Sequence, residues 1–261
     1  MMQDLKVTLI QSELAWEDID SNLAGFNSRI DAIEEDTHLI VLPEMFSTGF
    51  TMNAPALAQD MKSSAVKWIK EKSAEKNVDM VGSIIADDNG KFFNRLLWAK
   101  PNGEIFTYDK KHLFRMAGEE KIYSAGTKNI TVELNGWKIR PFICYDLRFP
   151  VWTRNIANQF DAAIFIANWP ERRSAHWKAL LLARAIENQC YVIGVNRVGT
   201  DGNGLTYSGD SSIIDPWGTI IFQKSNQTCI YTADLSYDVL KTSRKDFPVW
   251  MDADNDIIRS P

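Results

Sequence analysis

The sequence is poor in cysteine and has no long apolar segment. Its 261 residues include three cysteines, Cys144, Cys190 and Cys229, which is an odd number at wide spacing. This pattern argues against a disulfide framework, and against a zinc site, which needs paired ligands at short separation. Apolar runs such as 162–167 are too short to cross a bilayer, and the first residues lack the features of a signal peptide. We therefore predict a cytoplasmic protein that does not span a membrane.

Basic charge is also scarce. The chain has 29 Lys and Arg against 34 Asp and Glu, a net charge of −5, so it lacks the basic footprint of a nucleic-acid-binding protein. One local pair, Arg172 and Arg173, is typical of a solvated loop. No repeat, low-complexity tract or Pro/Gly/Ser-rich linker divides the sequence, and we predict a single domain over residues 1–261.

Apolar residues recur with helical and strand periods in alternation. Leu5, Val7 and Leu9 alternate with polar residues as in a strand, and apolar residues between Ile19 and Ile33 recur at helical steps of three and four. Further helices are predicted over 63–76, 147–159 and 174–189, and further strands over 38–42, 78–86, 92–100, 104–108, 130–134, 137–143, 162–167, 191–198 and 229–235, with a hairpin over 211–223. One open sheet would not comfortably hold so many strands. We predict an α/β fold with two facing sheets and helices outside them.

Three reactive side chains each follow a predicted strand. Glu44 is a candidate general base, because partial burial raises the pKa of a carboxyl group. Lys110 could stabilise an oxyanion or lower the pKa of a thiol. Cys144 stands where a helix starting just after it would favour a thiolate. Each has an ordinary alternative when taken alone: a solvated loop glutamate, a surface lysine and a buried structural cysteine.

The segments around these three residues resemble, in order, the Glu-Lys-Cys signature of the nitrilase, or carbon–nitrogen hydrolase, superfamily. They are Val-Leu-Pro-Glu at 41–44, Tyr-x-Lys-x-His-Leu-Phe at 108–114, and Phe-Ile-Cys-Tyr-Asp-Leu-Arg-Phe-Pro at 142–150. Matching segments continue at 167–170, 183–189, 195–199 and 215–218, so the resemblance covers nearly the whole chain. It implies a four-layer αββα sandwich with two central mixed sheets flanked by helices, which usually forms a homodimer.

The resemblance also implies a role for each residue of the signature. Glu44 is the expected general base, Lys110 the oxyanion-stabilising cation and Cys144 the nucleophile, which forms a thioester with the substrate. The family commonly has a second active-site glutamate, for which Glu119 is the better match, although the adjacent Glu120 stays open. This chemistry needs no metal and no organic cofactor.

Two further segments resemble the bacterial omega-amidase branch of the superfamily: Arg-Met-Ala at 115–117 and Ala-Asn-Trp-Pro-Glu-Arg-Arg at 167–173. That branch implies small-molecule substrates such as 2-oxoglutaramate and 2-oxosuccinamate, the terminal amides of keto acids. Because these substrates are anions, Arg148 is the candidate for binding their carboxylate through two hydrogen bonds. The alternative for Arg148 is an internal salt bridge to Asp146 or Glu187.

Other residues complete the expected site. The backbone N–H of Tyr145 is expected to donate to the oxyanion beside Lys110. Phe46, Trp169 and His176 are candidate pocket residues, with ordinary packing or exposure on a helix as the alternative.

Three rival functions have to be weighed. A nitrilase or an N-carbamoyl amidohydrolase would use the same glutamate, lysine and cysteine. A non-catalytic binding module on this scaffold would not need to keep all three. A Cys-His protease using His112 or His176 is disfavoured, because the sequence lacks the glycine-rich, disulfide-bearing surroundings expected there.

Overall fold

Two mixed β-sheets form the centre of the molecule, in a computed structural model that describes residues 3–254. The thirteen strands of this part of the chain are β1 (Leu5–Gln11), β2 (Leu39–Val41), β3 (Asp79–Asp88), β4 (Lys91–Ala99), β5 (Ile105–Asp109), β6 (Val132–Leu134), β7 (Trp137–Ile143), β8 (Ala162–Ala167), β9 (Tyr191–Asn196), β10 (Val198–Thr200), β11 (Thr206–Ile214), β12 (Ile220–Ser225) and β13 (Cys229–Leu235). The first sheet has the order β13-β1-β2-β3-β4-β5, and the second has the order β10-β11-β9-β8-β7-β6, with β12 paired to β11.

Helices flank both sheets and complete an α/β sandwich. The α-helices are α1 (Ile19–Asp31), α2 (Ala54–Leu57), α3 (Ser64–Lys76), α4 (Glu119–Ile122), α5 (Pro150–Thr153), α6 (Ser174–Asn188) and α7 (Tyr237–Asp246). Asp18 caps α1 by accepting a hydrogen bond from the backbone N–H of Ser21. None of the helices in residues 3–254 combines the length and the apolar character needed to cross a membrane. The predicted α/β sandwich is confirmed.

Asn-Gly turns set the register of two hairpins. Asn89 and Gly90 join β3 to β4 with φ angles of 55° and 79°, and Asn135 and Gly136 join β6 to β7 with 51° and 85°. Positive φ at both central residues is the geometry that matches the twist of paired strands, and asparagine and glycine adopt it at low cost. The strands predicted over 78–86 and 92–100, and over 130–134 and 137–143, are therefore adjacent partners in their sheets.

The hydrophobic core has two main layers. In the first layer, Phe142 of β7 stacks on its neighbour Phe165 of β8 within the second sheet, with ring centroids 5.1 Å apart, on the sheet face that packs against α6. Between the first sheet and helices α1 and α3, a second layer contains Phe26, Phe46 and Trp68. Phe46 is fully buried in this layer, so its predicted role as a pocket residue is wrong. The reason is local: after Glu44 the chain turns back under β3, where the N–H of Phe46 donates to the Ser83 carbonyl.

The predicted helix over 147–159 is also wrong. The chain instead forms a 3-10 turn over Cys144–Arg148, the single helical turn of α5 and another 3-10 turn over Ile156–Asn158. Phe149 has non-helical angles (φ −113°, ψ 89°) because a residue before proline is disfavoured in the α region. Ala157 adopts a positive φ of 50°, which interrupts the segment a second time. The prediction omitted β10 and α7.

Replacing Phe142 with alanine tests the packing of the second sheet against α6. We expect the Phe142→Ala variant to lose about 3–5 kcal/mol of unfolding free energy in urea titrations, because Phe142 is fully buried and the cavity left in the core cannot close. Ile220→Ala removes an apolar side chain that is half exposed on β12, and we expect a change within about 0.5 kcal/mol. A loss below about 1 kcal/mol for Phe142→Ala would contradict the importance of this stack.

Candidate active site

Cys144 lies at a sharp turn between β7 and the 3-10 turn that comes after it. Its backbone has φ 44°, a left-handed conformation that is uncommon for residues other than glycine and is often found at functional sites. The thiol is buried, and its Sγ lies 4.0 Å from the Asn168 carbonyl oxygen. The Cys144 side chain is therefore held in a fixed position directly after β7, by a backbone conformation that is strained.

A buried aspartate holds this turn in place. Asp146 accepts hydrogen bonds from the backbone N–H of Ile143 at 3.1 Å and from the Tyr108 hydroxyl at 2.6 Å. It also accepts from the backbone N–H of His112 at 2.9 Å, and the His112 ring Nδ1 lies 2.8 Å from the same carboxylate. Asp146 thus ties the segment after β5 to the turn that carries Cys144. Sequence reasoning missed this role, although the adjacency of Asp146 to the cysteine was a usable signal.

Beside the cysteine, one lysine lies between two glutamates. The Nζ of Lys110, directly after β5, is 3.0 Å from Glu44 Oε1 and 3.0 Å from both carboxylate oxygens of Glu119. All three side chains are at most 1% exposed. The structure therefore brings together the glutamate, lysine and cysteine that were predicted, and of the two candidate glutamates it is Glu119, not Glu120, that contacts Lys110.

Two asparagines orient Glu44. Its Oε1 accepts a hydrogen bond from the Asn94 side chain at 2.7 Å, and its Oε2 accepts one from the backbone N–H of Asn168 at 2.7 Å. The Phe50 ring covers Lys110 with its centroid 5.0 Å from the Nζ. Sequence reasoning missed these contacts. Asn94, a polar residue within the largely apolar strand β4, was the signal for one of them.

Burial and charge shift the pKa values of the cluster. Burial by itself lowers the pKa of Lys110, but the charges of Glu119 and Glu44 outweigh it and leave the pKa above its ordinary value. Burial raises the pKa of the Glu119 carboxyl group, which the Lys110 charge opposes. Burial, and next the charge of Glu44, raise the pKa of the Cys144 thiol well above its usual range. The thiol is therefore protonated in the free protein and needs a base.

This result corrects the expectation that a helix favours a Cys144 thiolate. The chain after the cysteine forms only one short 3-10 turn, whose dipole is small compared with the cost of burying a charge. The structure instead provides a neighbouring carboxylate, that of Glu44, which can accept the thiol proton.

Cys144 and Lys110 open into a cavity of about 550 Å³. Its walls include the residues Trp16, Glu17, Phe50, Phe114, Tyr145, Arg148, Asn168, Trp169, Arg172, Arg173, Asp201 and Tyr207. Of the predicted pocket residues, Tyr145, Arg148 and Trp169 line the cavity. His176 does not; it is exposed on α6, where its Nδ1 lies 3.0 Å from an Arg148 nitrogen.

Arg148 forms neither of the salt bridges weighed as alternatives. Asp146 is occupied by the donors described above, and Glu187 pairs with Arg184 at 2.8 Å. The Arg148 guanidinium instead lies 4.7 Å from the centroid of the Trp169 ring, at the cavity wall. Its hydrogen-bonding groups are therefore free of any protein carboxylate in residues 3–254.

The two histidines near the site do not act as a base for the cysteine. The His112 ring bonds to Asp146 and stacks on Phe149 at a centroid distance of 3.8 Å. His176 contacts Arg148. Within the part of the chain that is described, neither ring is hydrogen-bonded to Cys144, and no group of three or more His, Cys, Asp and Glu residues is arranged to hold a metal ion.

Comparison with known proteins agrees with this geometry. The family model described as carbon-nitrogen hydrolase matches residues 6–245. The chain belongs to the carbon–nitrogen hydrolase family. It is 48% identical to the omega-amidase YafV of Escherichia coli strain K12, over 97% of this chain and 98% of that protein. It is 33% identical to the 2-oxoglutaramate amidase of Bacillus subtilis strain 168, over 96% and 98% of the two chains.

A solved structure of this family superposes closely. The protein XC1258 of Xanthomonas campestris, a CN-hydrolase superfamily member with an arsenic adduct in its active site, has a TM-score of 0.95. Its sequence is 41% identical, and the match covers 97% of this chain and 98% of that one. The sandwich fold is thus shared over nearly the full length.

The effect of Glu44 on the thiol can be measured by alkylation. We expect Glu44→Gln to lower the pH midpoint of iodoacetamide labelling at Cys144, because the change removes the negative charge that raises the thiol pKa and leaves Lys110 less neutralised. Labelling of the Cys144 peptide against pH, followed by mass spectrometry, gives the midpoint. Glu120→Gln is the matched control and should keep the wild-type midpoint. An unchanged or higher midpoint for Glu44→Gln would contradict this electrostatic account.

Proposed function

We propose that this protein is an omega-amidase, which hydrolyses the terminal amide of 2-oxoglutaramate or 2-oxosuccinamate to the dicarboxylic keto acid and ammonia. The observation that carries the proposal is the buried group of Glu44, Lys110 and Glu119 beside Cys144, at the base of a cavity whose wall includes arginines that form no ion pair within residues 3–254. The identity to an omega-amidase over nearly the whole chain supports the substrate class.

The geometry supports a reaction in two halves. Glu44 takes the proton of Cys144, and the thiolate attacks the amide carbon, which forms a tetrahedral oxyanion. Lys110 and the backbone N–H of Tyr145 stabilise that oxyanion; in other enzymes the loss of one such donor lowers the rate about 10²- to 10³-fold. Glu44 returns its proton to the amine, the C–N bond breaks, and ammonia leaves a thioester on Cys144.

The second half of the reaction releases the acid. A water molecule gives a proton to Glu44 or Glu119 and attacks the thioester carbon. The carbon–sulfur bond then breaks, and the thiolate takes back the proton that the glutamate received from water. Glu119 suits a supporting role, because its carboxylate is fixed by Lys110 and by the backbone N–H of Phe114. Because Glu119 contacts Lys110, we choose it over Glu120 as the second active-site glutamate.

Arg148 is the proposed binding group for the substrate carboxylate. A planar guanidinium with its donors facing a cavity can form two parallel hydrogen bonds to a carboxylate. Stacking on Trp169 fixes the plane of the group. The predicted function of Arg148 is thus supported by its position, while Trp169 forms the wall behind it.

We also propose a cytoplasmic homodimer with one catalytic domain. The family match over residues 6–245 supports the single domain, and three cysteines without disulfides suit a reducing compartment. Ile186 and Trp217 are about half exposed and lie together, because the turn at Gly218 contacts Ile186. We propose that these two side chains lie at the dimer interface, where their apolar surface would be covered.

An ammonia-release assay on the purified protein tests the proposed activity. We expect turnover of 2-oxoglutaramate and 2-oxosuccinamate, little with glutamine, and a loss of at least about 10³-fold in Cys144→Ala, which lacks the nucleophile. The same assay on a nitrile and on an N-carbamoyl amino acid separates the rival functions. Nitrile turnover without amide turnover would contradict the proposal.

Substitution of Arg148 tests the carboxylate site. We expect Arg148→Ala to lower kcat/KM for 2-oxosuccinamate about 10- to 100-fold, the usual worth of a hydrogen-bonded charge pair, and to change kcat/KM for propionamide much less. The uncharged amide is the control, because it has the same scissile bond and no carboxylate. Equal losses on both substrates would refute a role for Arg148 in binding the carboxylate.

A further inference from the structure

A second arginine faces the cavity without a partner. Arg173 ends the 3-10 turn Glu171–Arg173 before α6, and its guanidinium lies 5.1 Å from the centroid of the Phe114 ring. Within residues 3–254, the arginines that form ion pairs are Arg95, Arg184 and Arg244. Arg173 is thus a half-buried cation whose charge no protein carboxylate neutralises.

The cavity has other carboxylates, but within residues 3–254 each accepts hydrogen bonds from other groups and none forms an ion pair with Arg173. Asp201 accepts from the backbone N–H groups of Asn203 and Leu205, at 2.9 Å and 3.0 Å, and from the Tyr207 hydroxyl at 2.8 Å.

Glu17 is occupied in the same way. It accepts from the Thr51 hydroxyl and from the Asn53 side chain. These acids stabilise loops, whereas no acceptor for the Arg173 guanidinium is found among residues 3–254.

Arg148 and Arg173 belong to one positively charged wall. Trp169 joins them, since its ring lies under the Arg148 guanidinium and its Nε1 donates to the Arg173 carbonyl oxygen at 2.8 Å. Burial, then the charges of Arg172 and Arg148, lower the pKa of Arg173 from its ordinary value, while the charge of a Cys144 thiolate would raise it. The wall therefore repels a further cation and attracts an anion within reach of the nucleophile.

We propose that Arg173, together with Arg148, selects 2-oxo acid amides over the corresponding amino acid amides. This inference rests on the proposed function. Both kinds of substrate carry the carboxylate, and they differ at the next carbon, which bears an oxo oxygen in one and an ammonium group in the other. A guanidinium has only donors, so it can bond to the oxo oxygen but not to an ammonium group, which also has only donors. Charge repulsion adds to this mismatch.

Kinetics of Arg173 variants on a matched pair of substrates test the selection. We expect Arg173→Gln to lower kcat/KM for 2-oxoglutaramate about 10- to 100-fold, the usual worth of a hydrogen-bonded charge pair. For L-glutamine the loss should be smaller, because attraction to its carboxylate and repulsion of its ammonium group disappear together. The ratio of the two kcat/KM values should fall about 10-fold. Arg173→Lys should keep a larger ratio than Arg173→Gln, because it retains the charge.

A control variant and a binding assay complete the experiment. Arg115→Gln removes a charge from an exposed side chain outside the cavity walls, and its ratio should equal that of the wild type. In the inactive Cys144→Ala background, calorimetry should show that Arg173→Gln weakens binding of 2-oxoglutarate about 10-fold and binding of L-glutamate less.

The outcomes separate the two proposals. Failure of the wild type to hydrolyse 2-oxoglutaramate would refute the omega-amidase function, and the binding assay would still decide the role of Arg173. An unchanged preference in Arg173→Gln, in either assay, would overturn the inference.

Discussion

The site depends on one electrostatic constraint, a lysine ammonium group that is removed from water and must be neutralised. An isolated buried cation is very unfavourable, so Lys110 is stable in this position only because Glu44 and Glu119 both contact it. One positive charge between two carboxylates leaves the group with a net negative charge. Burial, and next the charge of Glu44, raise the pKa of the Cys144 thiol, and the Glu44 carboxylate is an acceptor for its proton. The same ion cluster therefore explains both the stability of the site and its need for general-base chemistry.

The two sheets bring this cluster together from distant parts of the chain. Glu44 and Lys110 follow strands of the first sheet, while Cys144 ends a strand of the second. Close backbone packing fixes the lysine: the N–H of Gly126 donates to the Lys110 carbonyl, and a Cβ at Gly126 would lie 2.0 Å from the Asp109 carbonyl oxygen. Only glycine fits at that contact. The positions of the reacting groups are thus set by the scaffold rather than by flexible loops.

The sequence could predict those features of the fold and the site that depend on local pattern. Periodicity predicted the two sheets with helices outside them, and the family resemblance of three motifs predicted that Glu44, Lys110 and Cys144 lie together. The errors came where long-range packing decides. Phe46 is separated from Glu44 by one residue, yet a turn sends it into the core, and only the neighbouring strand determines that direction. A helix was also predicted over 147–159, but Phe149 lies outside the helical region before Pro150 and Ala157 adopts a positive φ.

The groups proposed for catalysis and for substrate selection lie on different elements of the fold. The cluster of Glu44, Lys110 and Glu119 is enclosed between the strand ends, whereas Arg173 and Trp169 lie on the segment between β8 and α6. Replacing one member of the cluster would leave another buried charge without its partner, so these positions tolerate little change. Arg173 forms no ion pair within residues 3–254, so its replacement leaves no buried charge uncompensated. The preference among amides can therefore change without disturbing the group that breaks the carbon–nitrogen bond. This separation gives a physical reason why one family scaffold can act on amides that differ in the charged groups away from the scissile bond.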